Sequence, residues 1–241
     1  MTPIETVQLT SPLINAAGAA FYFNPDTLAR GEELGFDGFR FYFLGRGGVL
    51  GDVEPAVVAS AFGYFNTGMV ATMWEAGKEI MPPREAAKTY LECAAKFGRG
   101  ALGDASGLSQ FNDAAEKLIN SIDVSGLALF AGIAAEPLPD DAPGRAYRNI
   151  CTLRELRGSV HLLAVVASGL VPAVAHTIRR PEMAAAFGWD PAPEISERDS
   201  IALDAAEDLT DQLMASMFEV FSSDEGEAFA AGVSTISELT T

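Results

Sequence analysis

Apolar residues recur at helical spacing over most of the chain, between short segments rich in glycine and proline. This pattern predicts a mostly α-helical protein, a multi-helical bundle of roughly 9–11 helices. The predicted helices cover approximately residues 25–34, 54–65, 67–79, 83–97, 109–122, 126–135, 145–167 with a continuation to 180, 181–187, 196–221 and 224–239.

One segment has a different pattern. Residues 39–50 begin with the aromatic run Phe-Arg-Phe-Tyr-Phe-Leu and continue into a glycine-rich stretch that starts at Gly45. Aromatic side chains favour strands, and clustered glycines favour tight turns. We therefore expect a short extended or hairpin segment at residues 39–50.

The clearest break in the pattern is a loop rich in proline and acidic residues at positions 136–144. It predicts an N-terminal helical half with an aromatic cluster, residues 1–140, and a C-terminal helical half, residues 141–241. We expect the two halves to pack as one globular unit.

Composition narrows the classes of partner. The 241 residues include 16 Lys and Arg against 33 Asp and Glu, a formal net charge of −17, and 49 % of them are hydrophobic, which is ample for a large core. Such an excess of negative charge repels phosphate backbones and acidic membrane surfaces. Nucleic acid is thus a disfavoured partner.

The charge is unevenly distributed along the chain. Residues 145–180 carry six arginines and one glutamate, whereas residues 199–241 carry ten acidic residues and no basic one. Two interpretations remain open. The acidic C-terminal helices pack against the arginine-bearing helix, or some of these arginines point into a pocket for an anionic ligand.

Targeting and redox signals are few. The first residues lack the basic start and apolar run of a signal peptide, and no window reaches the ~18 apolar residues of a membrane span. The two cysteines, Cys93 and Cys151, are too few for a disulfide framework in a chain of this length. We expect a cytoplasmic protein without a membrane partner, and a homodimer remains open.

The most informative segment is residues 153–163. On a helix, Arg154, Arg157, Gly158 and His161 fall on one arc, with the leucines and Val160 on a neighbouring arc. The apolar residues after His161 predict that the helix enters the core there. Because a glycine inside a helix costs ~1 kcal/mol relative to alanine, we expect a close neighbour at Gly158.

This polar arc suggests a site for a small, apolar or anionic metabolite in a buried pocket. Arg154 and Arg157 would hold an acidic group, and Arg46 would guard the entrance. The aromatic residues Tyr42 and Phe43 would line the pocket. At its floor, the candidate catalytic residue His161 would form a hydrogen bond or transfer a proton.

Other interpretations stay open at this point. His161 is a structural side chain, or it is the general acid or base of an enzyme of specialised metabolism. With only two histidines and no HxxxH spacing, a metal site has no support, whereas a haem needs only one histidine. No other cofactor follows from the residues.

A resemblance to a known family adds a further alternative. The chain resembles an actinobacterial family of helix-turn-helix-like proteins, which implies a DNA-binding transcriptional regulator. The residues that carry the resemblance are Leu153-Arg154-Glu155, Arg157-Gly158, His161, Gly169-Leu170, the region from Phe41 to Phe62, and Gly188-Trp189-Asp190.

The chain also departs from this family's pattern. Leu156, Ser159 and Val160 stand where the family has His, Asp and Gly. After Trp189 the chain passes almost directly to the helix predicted at residues 196–221, so the winged-helix portion is shortened. The resemblance therefore implies a degenerate helix-turn-helix regulator and gives little support to DNA binding.

Overall fold

A computed structural model describes all 241 residues and contains twelve α-helices and no β-strand. This confirms the predicted all-α class. The twelve helices exceed the expected 9–11, and two of them lie where no helix was predicted. The helices are α1 Pro3–Ala19, α2 Pro25–Glu33, α3 Gly38–Gly47, α4 Pro55–Phe62, α5 Thr67–Lys78, α6 Pro83–Leu102, α7 Leu108–Ser121, α8 Ala128–Ala134, α9 Ala142–Ala167, α10 Pro172–Arg179, α11 Glu197–Phe218 and α12 Ser223–Thr240. Short 3₁₀ turns occupy Gly48–Leu50, Pro181–Met183 and Ala185–Phe187, so the helix predicted at 181–187 is wrong and two 3₁₀ turns lie there.

Helix α1 is one of the two additions, and its start is encoded locally. The Thr2 side chain accepts a hydrogen bond from the Glu5 backbone N–H, and the Glu5 carboxylate accepts one from the Thr2 N–H. This reciprocal capping box satisfies two backbone donors that a helix start would otherwise leave unpaired. Ser196 and Asp199 form the same box at the start of α11.

The other addition is α3, so the extended segment expected at residues 39–50 is wrong. The Asp37 carboxylate caps the helix by accepting from the Arg40 N–H at 2.8 Å. Residues 41–45 are all buried, so this stretch has no polar face to reveal a helical period. Its aromatic content reflects burial on every side, and not a strand.

The tight turn expected at the glycine-rich stretch is present only at its end: α3 continues to Gly47, and the 3₁₀ turn Gly48–Leu50 follows, with a hydrogen bond from the Gly51 N–H to the Gly48 carbonyl. Gly45 lies inside α3, where an added Cβ would come within 2.5 Å of the Tyr90 ring. A Cβ added at Gly48 would lie 2.0 Å from the backbone oxygen of Pro83. These glycines allow α6 to approach α3, and only Gly51, with φ +89°, has a backbone conformation that favours glycine.

Helix α9 is the central element of the bundle and packs against α1, α6, α7, α8 and α11. Every residue from Ala146 to Leu153 is buried. The main hydrophobic core of 44 buried residues runs from Val7 to Ile236, so residues on both sides of position 140 contribute to it.

The expectation that α9 enters the core after His161 is wrong, because the order is reversed. The buried part precedes Arg157, whereas Leu163 and Val166 are 44 % and 60 % exposed. A small second cluster that includes Ala164 and Val165 covers only one face of this end of the helix. The polar arc of α9 thus lies where the helix leaves the main core.

Helix α10 follows α9 after a short turn. Gly169 adopts φ +73° in that turn, and the two helices are bent by 113° relative to each other. No single helix is long and apolar enough to cross a membrane. Helices α9 and α10 reach the length and apolar composition of a membrane span only when they are taken together, although the chain bends between them.

Candidate functional site

A cleft of about 690 Å³ lies where α1, α3, α4, α9 and α10 meet. Five arginines line it, and we call it the arginine cleft. They are Arg46, Arg154, Arg157, Arg179 and Arg180. Glu155 is the only acidic residue in its lining, although the whole chain carries a net charge of −17.

The structure brings most of the predicted site residues together. Tyr42, Arg46, Arg154, Arg157 and His161 all line the arginine cleft, although Arg46 lies more than 100 positions before the others on α9. Only Phe43, which we expected to line the pocket, does not reach it. Its fully buried ring packs against the rings of Phe62 and Phe65, with centroid distances of 5.5 and 4.8 Å, and these two rings line the cleft.

Glu155 is the centre of a buried ionic cluster. Arg46 donates to both carboxylate oxygens, from Nε at 2.9 Å and from Nη2 at 2.7 Å. The Tyr22 hydroxyl donates to Oε1 at 3.0 Å, and Arg154 Nη1 donates to the same oxygen at 3.1 Å. The Glu155 side chain is only 4 % exposed, so these four bonds replace its contacts with water.

The cluster holds Glu155 in its ionised form. Burial alone would raise the pKa of this carboxyl, but the attraction and hydrogen bonds of Arg46, followed by Arg154 and Tyr22, lower the pKa to about 2. Two arginines and one ionised glutamate leave the cluster with one net positive charge. Glu155 therefore does not make this side of the cleft repel an anion.

This pKa predicts a dependence of stability on pH. A carboxyl whose pKa falls from 4.5 to about 2 on folding stabilises the protein above pH 4.5, and this contribution is lost as the pH falls towards 2. We expect the difference in free energy of unfolding between wild type and Glu155→Gln to shrink by about 3 kcal/mol over that range. Urea titrations at several pH values measure it, and a pH-independent difference would contradict this role of the cluster.

Arg46 is a fixed part of the cleft wall. Its guanidinium carbon lies 4.4 Å from the centroid of the Phe62 ring, and its Nη1 donates to the Tyr42 hydroxyl at 3.0 Å. With the bonds to Glu155, these contacts hold the side chain on three sides. The structure thus places Arg46 in the wall of the cleft, and its role as a guard of the entrance stays a prediction.

A second ionic cluster surrounds Glu207 of α11. Arg157 Nη2 lies 3.1 Å from one carboxylate oxygen, and Arg179 Nη2 lies 3.2 Å from the other. Helix α11 thus packs against the arginine-bearing helix, as the charge pattern indicates, and the same two arginines line the cleft. The two interpretations of the basic segment are compatible.

His161 is held in one orientation by Thr210. Its Nδ1 lies 2.9 Å from the Thr210 hydroxyl oxygen, and that hydroxyl donates its own hydrogen to the Ala206 carbonyl at 2.6 Å. Thr210 can therefore only accept from Nδ1–H, which leaves the lone pair of the neutral ring on Nε2. Nε2 makes no hydrogen bond, and its nearest acidic atom is Glu207 Oε1 at 3.8 Å.

Burial keeps this imidazole neutral. Burial lowers the pKa of His161, Glu207 opposes that change, and the positive charges of Arg157 and Arg179 lower the pKa further. The ring therefore offers an unprotonated nitrogen, a hydrogen-bond acceptor or a base, in a cleft whose other polar groups are mainly donors.

Several residues of the cleft were not predicted from the sequence. Phe187 stacks on Phe65 with centroids 4.0 Å apart, and on His176 at 3.7 Å. The Tyr64 hydroxyl is buried without a hydrogen-bond partner. Arg179 belongs to the basic segment that the charge pattern indicates, but no local signal places Tyr64 or Phe187 beside it.

The environment of Gly158 also differs from the expectation. No atom lies within 4 Å of a Cβ added at this position, so the close neighbour expected there is absent. Gly158 instead lines the arginine cleft. The missing side chain keeps part of the cleft open.

Comparisons with known proteins give one match. The model of a helix-turn-helix family matches residues 8–240, nearly the whole chain. No curated protein and no solved structure shows a significant match. The match agrees with the helix-turn-helix resemblance drawn from the sequence. No group of three or more His, Cys, Asp or Glu side chains is placed to hold a metal ion.

Proposed function

The chain belongs to this helix-turn-helix family, and within it we propose that the protein binds an anionic small molecule in the arginine cleft. The observation that carries the proposal is the lining of the cleft: five arginines converge on it, and its only acidic residue is neutralised by Arg46 and Arg154. The aromatic side chains Phe62, Phe65 and Phe187 would receive an apolar part of the ligand.

The balance of charge supports an anion. The clusters around Glu155 and Glu207 each contain two arginines and one glutamate, and Arg180 has no acidic partner within 4.0 Å. The charged residues in and next to the arginine cleft therefore sum to an excess of positive charge, although the whole chain is acidic. A partly enclosed site of this kind concentrates small anions from solution.

Unpaired donors also support a ligand. Arg154 Nη2 and Arg157 Nη1 make no hydrogen bond within the protein and are not among its shielded polar atoms, whereas the Nε atoms of both side chains are shielded. An acceptor on a ligand in the cleft can therefore reach these Nη atoms. A carboxylate accepts charge-assisted hydrogen bonds from a guanidinium.

Nucleic acid has less support as a partner. Most basic residues are already paired with acids, and only four lack an acidic partner: Lys88, Arg148, Arg180 and Arg198. Helix α10, which follows the bend, faces the cleft with His176 and Arg179 and packs against the acidic α11. Gel-shift binding to genomic fragments at low salt that weakens steeply with added salt would favour a regulator instead.

Catalysis by His161 is the second candidate function. The observation that favours it is the tautomer fixed by Thr210, which leaves Nε2 unprotonated on a residue that lines the cleft. Once a ligand is identified, His161→Ala with retained folding and lost turnover would support an enzyme. If the ligand is unchanged after long incubation with wild type, the protein binds it without catalysing a reaction. A purified protein with a Soret band would instead favour a haem protein.

The first test of the proposal fills the cleft without removing any charge. We expect wild type to bind the fluorescent aromatic anion 8-anilinonaphthalene-1-sulfonate, and Gly158→Phe to weaken this binding about 100-fold, because the new ring occupies the cleft. Fluorescence titration measures the affinity, and far-UV circular dichroism checks the fold.

A matched variant controls for the effect of a new aromatic ring. Gly100 also lies within a helix and has no atom within 4 Å of an added Cβ, but it is remote from the arginine cleft. Gly100→Phe should leave the affinity for the sulfonate unchanged. Equal affinities in wild type and Gly158→Phe, or no binding to wild type, would overturn the proposal.

A further inference from the structure

We propose that the ligand of the arginine cleft is a hydroxylated aromatic carboxylate, with the carboxylate on Arg157 and the phenolic hydroxyl on His161. This inference rests on the proposed function and names the class of molecule that the cleft takes. It follows from three features of the lining: the Nη1 atom of Arg157, which has no hydrogen-bond partner, the unprotonated Nε2 of His161, and a wall of aromatic rings.

Arg157 provides the place for the carboxylate. Its Nη2 donates to Glu207 and its Nε is shielded, whereas its Nη1 makes no hydrogen bond and is not among the shielded polar atoms. The Arg46 guanidinium, by contrast, has Nε and both Nη atoms occupied by Glu155 and Tyr42.

His161 provides the requirement for a hydroxyl. Arginine and tyrosine supply hydrogen-bond donors to the cleft, but Nε2 of the neutral His161 ring can only accept. A ligand that carries only acceptors would leave Nε2 unpaired. A phenolic hydroxyl donates to an imidazole nitrogen, so a ligand with a carboxylate and a phenol satisfies both Arg157 and His161.

The aromatic wall favours a ring between these two groups. Phe65 and Phe187 are stacked with an interplanar angle of 6°, and Tyr64 lies near both histidines, with ring centroids 6.4 Å from each. These rings come from the α4–α5 connection and from the 3₁₀ turn Ala185–Phe187. A planar aromatic ligand gains edge-to-face or stacked contacts with them that a saturated ring does not make.

The test compares ligands that differ by one group. We expect 4-hydroxybenzoate, 3-hydroxybenzoate or 4-hydroxycinnamate to displace 8-anilinonaphthalene-1-sulfonate from the full-length wild type. For the best of the three acids, the corresponding amide, methyl ether and saturated-ring acid should each bind about tenfold more weakly or worse. Competition titrations followed by fluorescence give these ratios.

Two variants assign the groups to residues. Arg157→Leu should remove the difference between acid and amide and keep the difference between phenol and methyl ether. His161→Leu should do the reverse. Because the ligand series is measured on wild type, the class of ligand is tested even where a variant fails to fold.

The outcomes separate this inference from the proposed function. If none of the phenolic acids displaces the sulfonate while Gly158→Phe still blocks it, the cleft binds anions and the inference is wrong. Equal affinity for the acid and its amide, or for the phenol and its methyl ether, would also overturn it. If wild type does not bind the sulfonate, the proposed function fails as well.

Discussion

Glu155→Ala is expected to lower the free energy of unfolding by about 3–5 kcal/mol, because it leaves Arg46 and Arg154 buried without their counter-ion. The carboxylate accepts four hydrogen bonds, and the Arg46 and Arg154 side chains that donate three of them are only 14 % and 21 % exposed. The two guanidinium groups would also repel each other. Urea unfolding at pH 7 measures the loss.

Two further variants isolate the role of charge. Glu155→Gln keeps an acceptor and the approximate volume but removes the negative charge, so it should fall between wild type and Glu155→Ala. Glu33→Ala breaks an exposed pair with Arg30, and should cost no more than about 0.5 kcal/mol. A loss below about 1 kcal/mol in Glu155→Ala would show that the buried cluster contributes little to stability.

Gly48→Ala is expected to lower the free energy of unfolding by at least about 3 kcal/mol. Its φ of −62° suits any residue, so the cost is purely steric. The new Cβ would lie 2.0 Å from the Pro83 backbone oxygen and 3.1 Å from the Ala87 Cβ. Backbone atoms cannot relieve such a clash by a change of rotamer, as a flexible side chain can. Either α6 shifts away from α3 or the bundle loses its packing there.

Gly100→Ala is the matched control for this substitution. Gly100 lies inside α6, the helix that Gly48 contacts, but an added Cβ there meets no atom within 4 Å. We expect this variant to gain about 0.5–1 kcal/mol, because alanine is the better helix former. Thermal and urea unfolding of both variants measure the contrast. Equal effects of the two substitutions would show that the α3–α6 contact tolerates a methyl group.

Helices with one apolar face were predictable from the sequence with little error. The expected helix at 67–79 is α5 Thr67–Lys78, and that at 109–122 is α7 Leu108–Ser121. Both have an exposed side that interrupts the apolar pattern at helical spacing. Helix α3 was not predicted, because burial on all sides removes the helical spacing of apolar residues. The strand preference of its aromatic residues then favoured an extended segment.

The candidate site was predictable only where its residues share one helix. Arg154, Arg157 and His161 are three or four residues apart on α9, so helical geometry alone places them on one side. Helical geometry does not predict the residues that surround them, because Glu207 and Thr210 lie on α11, and Tyr64 lies in the α4–α5 connection.

The sequence by itself determined the helical class, most helix boundaries and the polar arc of α9, because these depend on spacing and capping within a few turns. Only the tertiary structure decided the state of each polar group. Glu155 is ionised because α3 brings Arg46 to it, and His161 presents Nε2 because α11 brings Thr210. Protonation and hydrogen bonding depend on atoms within a few ångströms, and in a helical bundle those atoms come from distant parts of the chain.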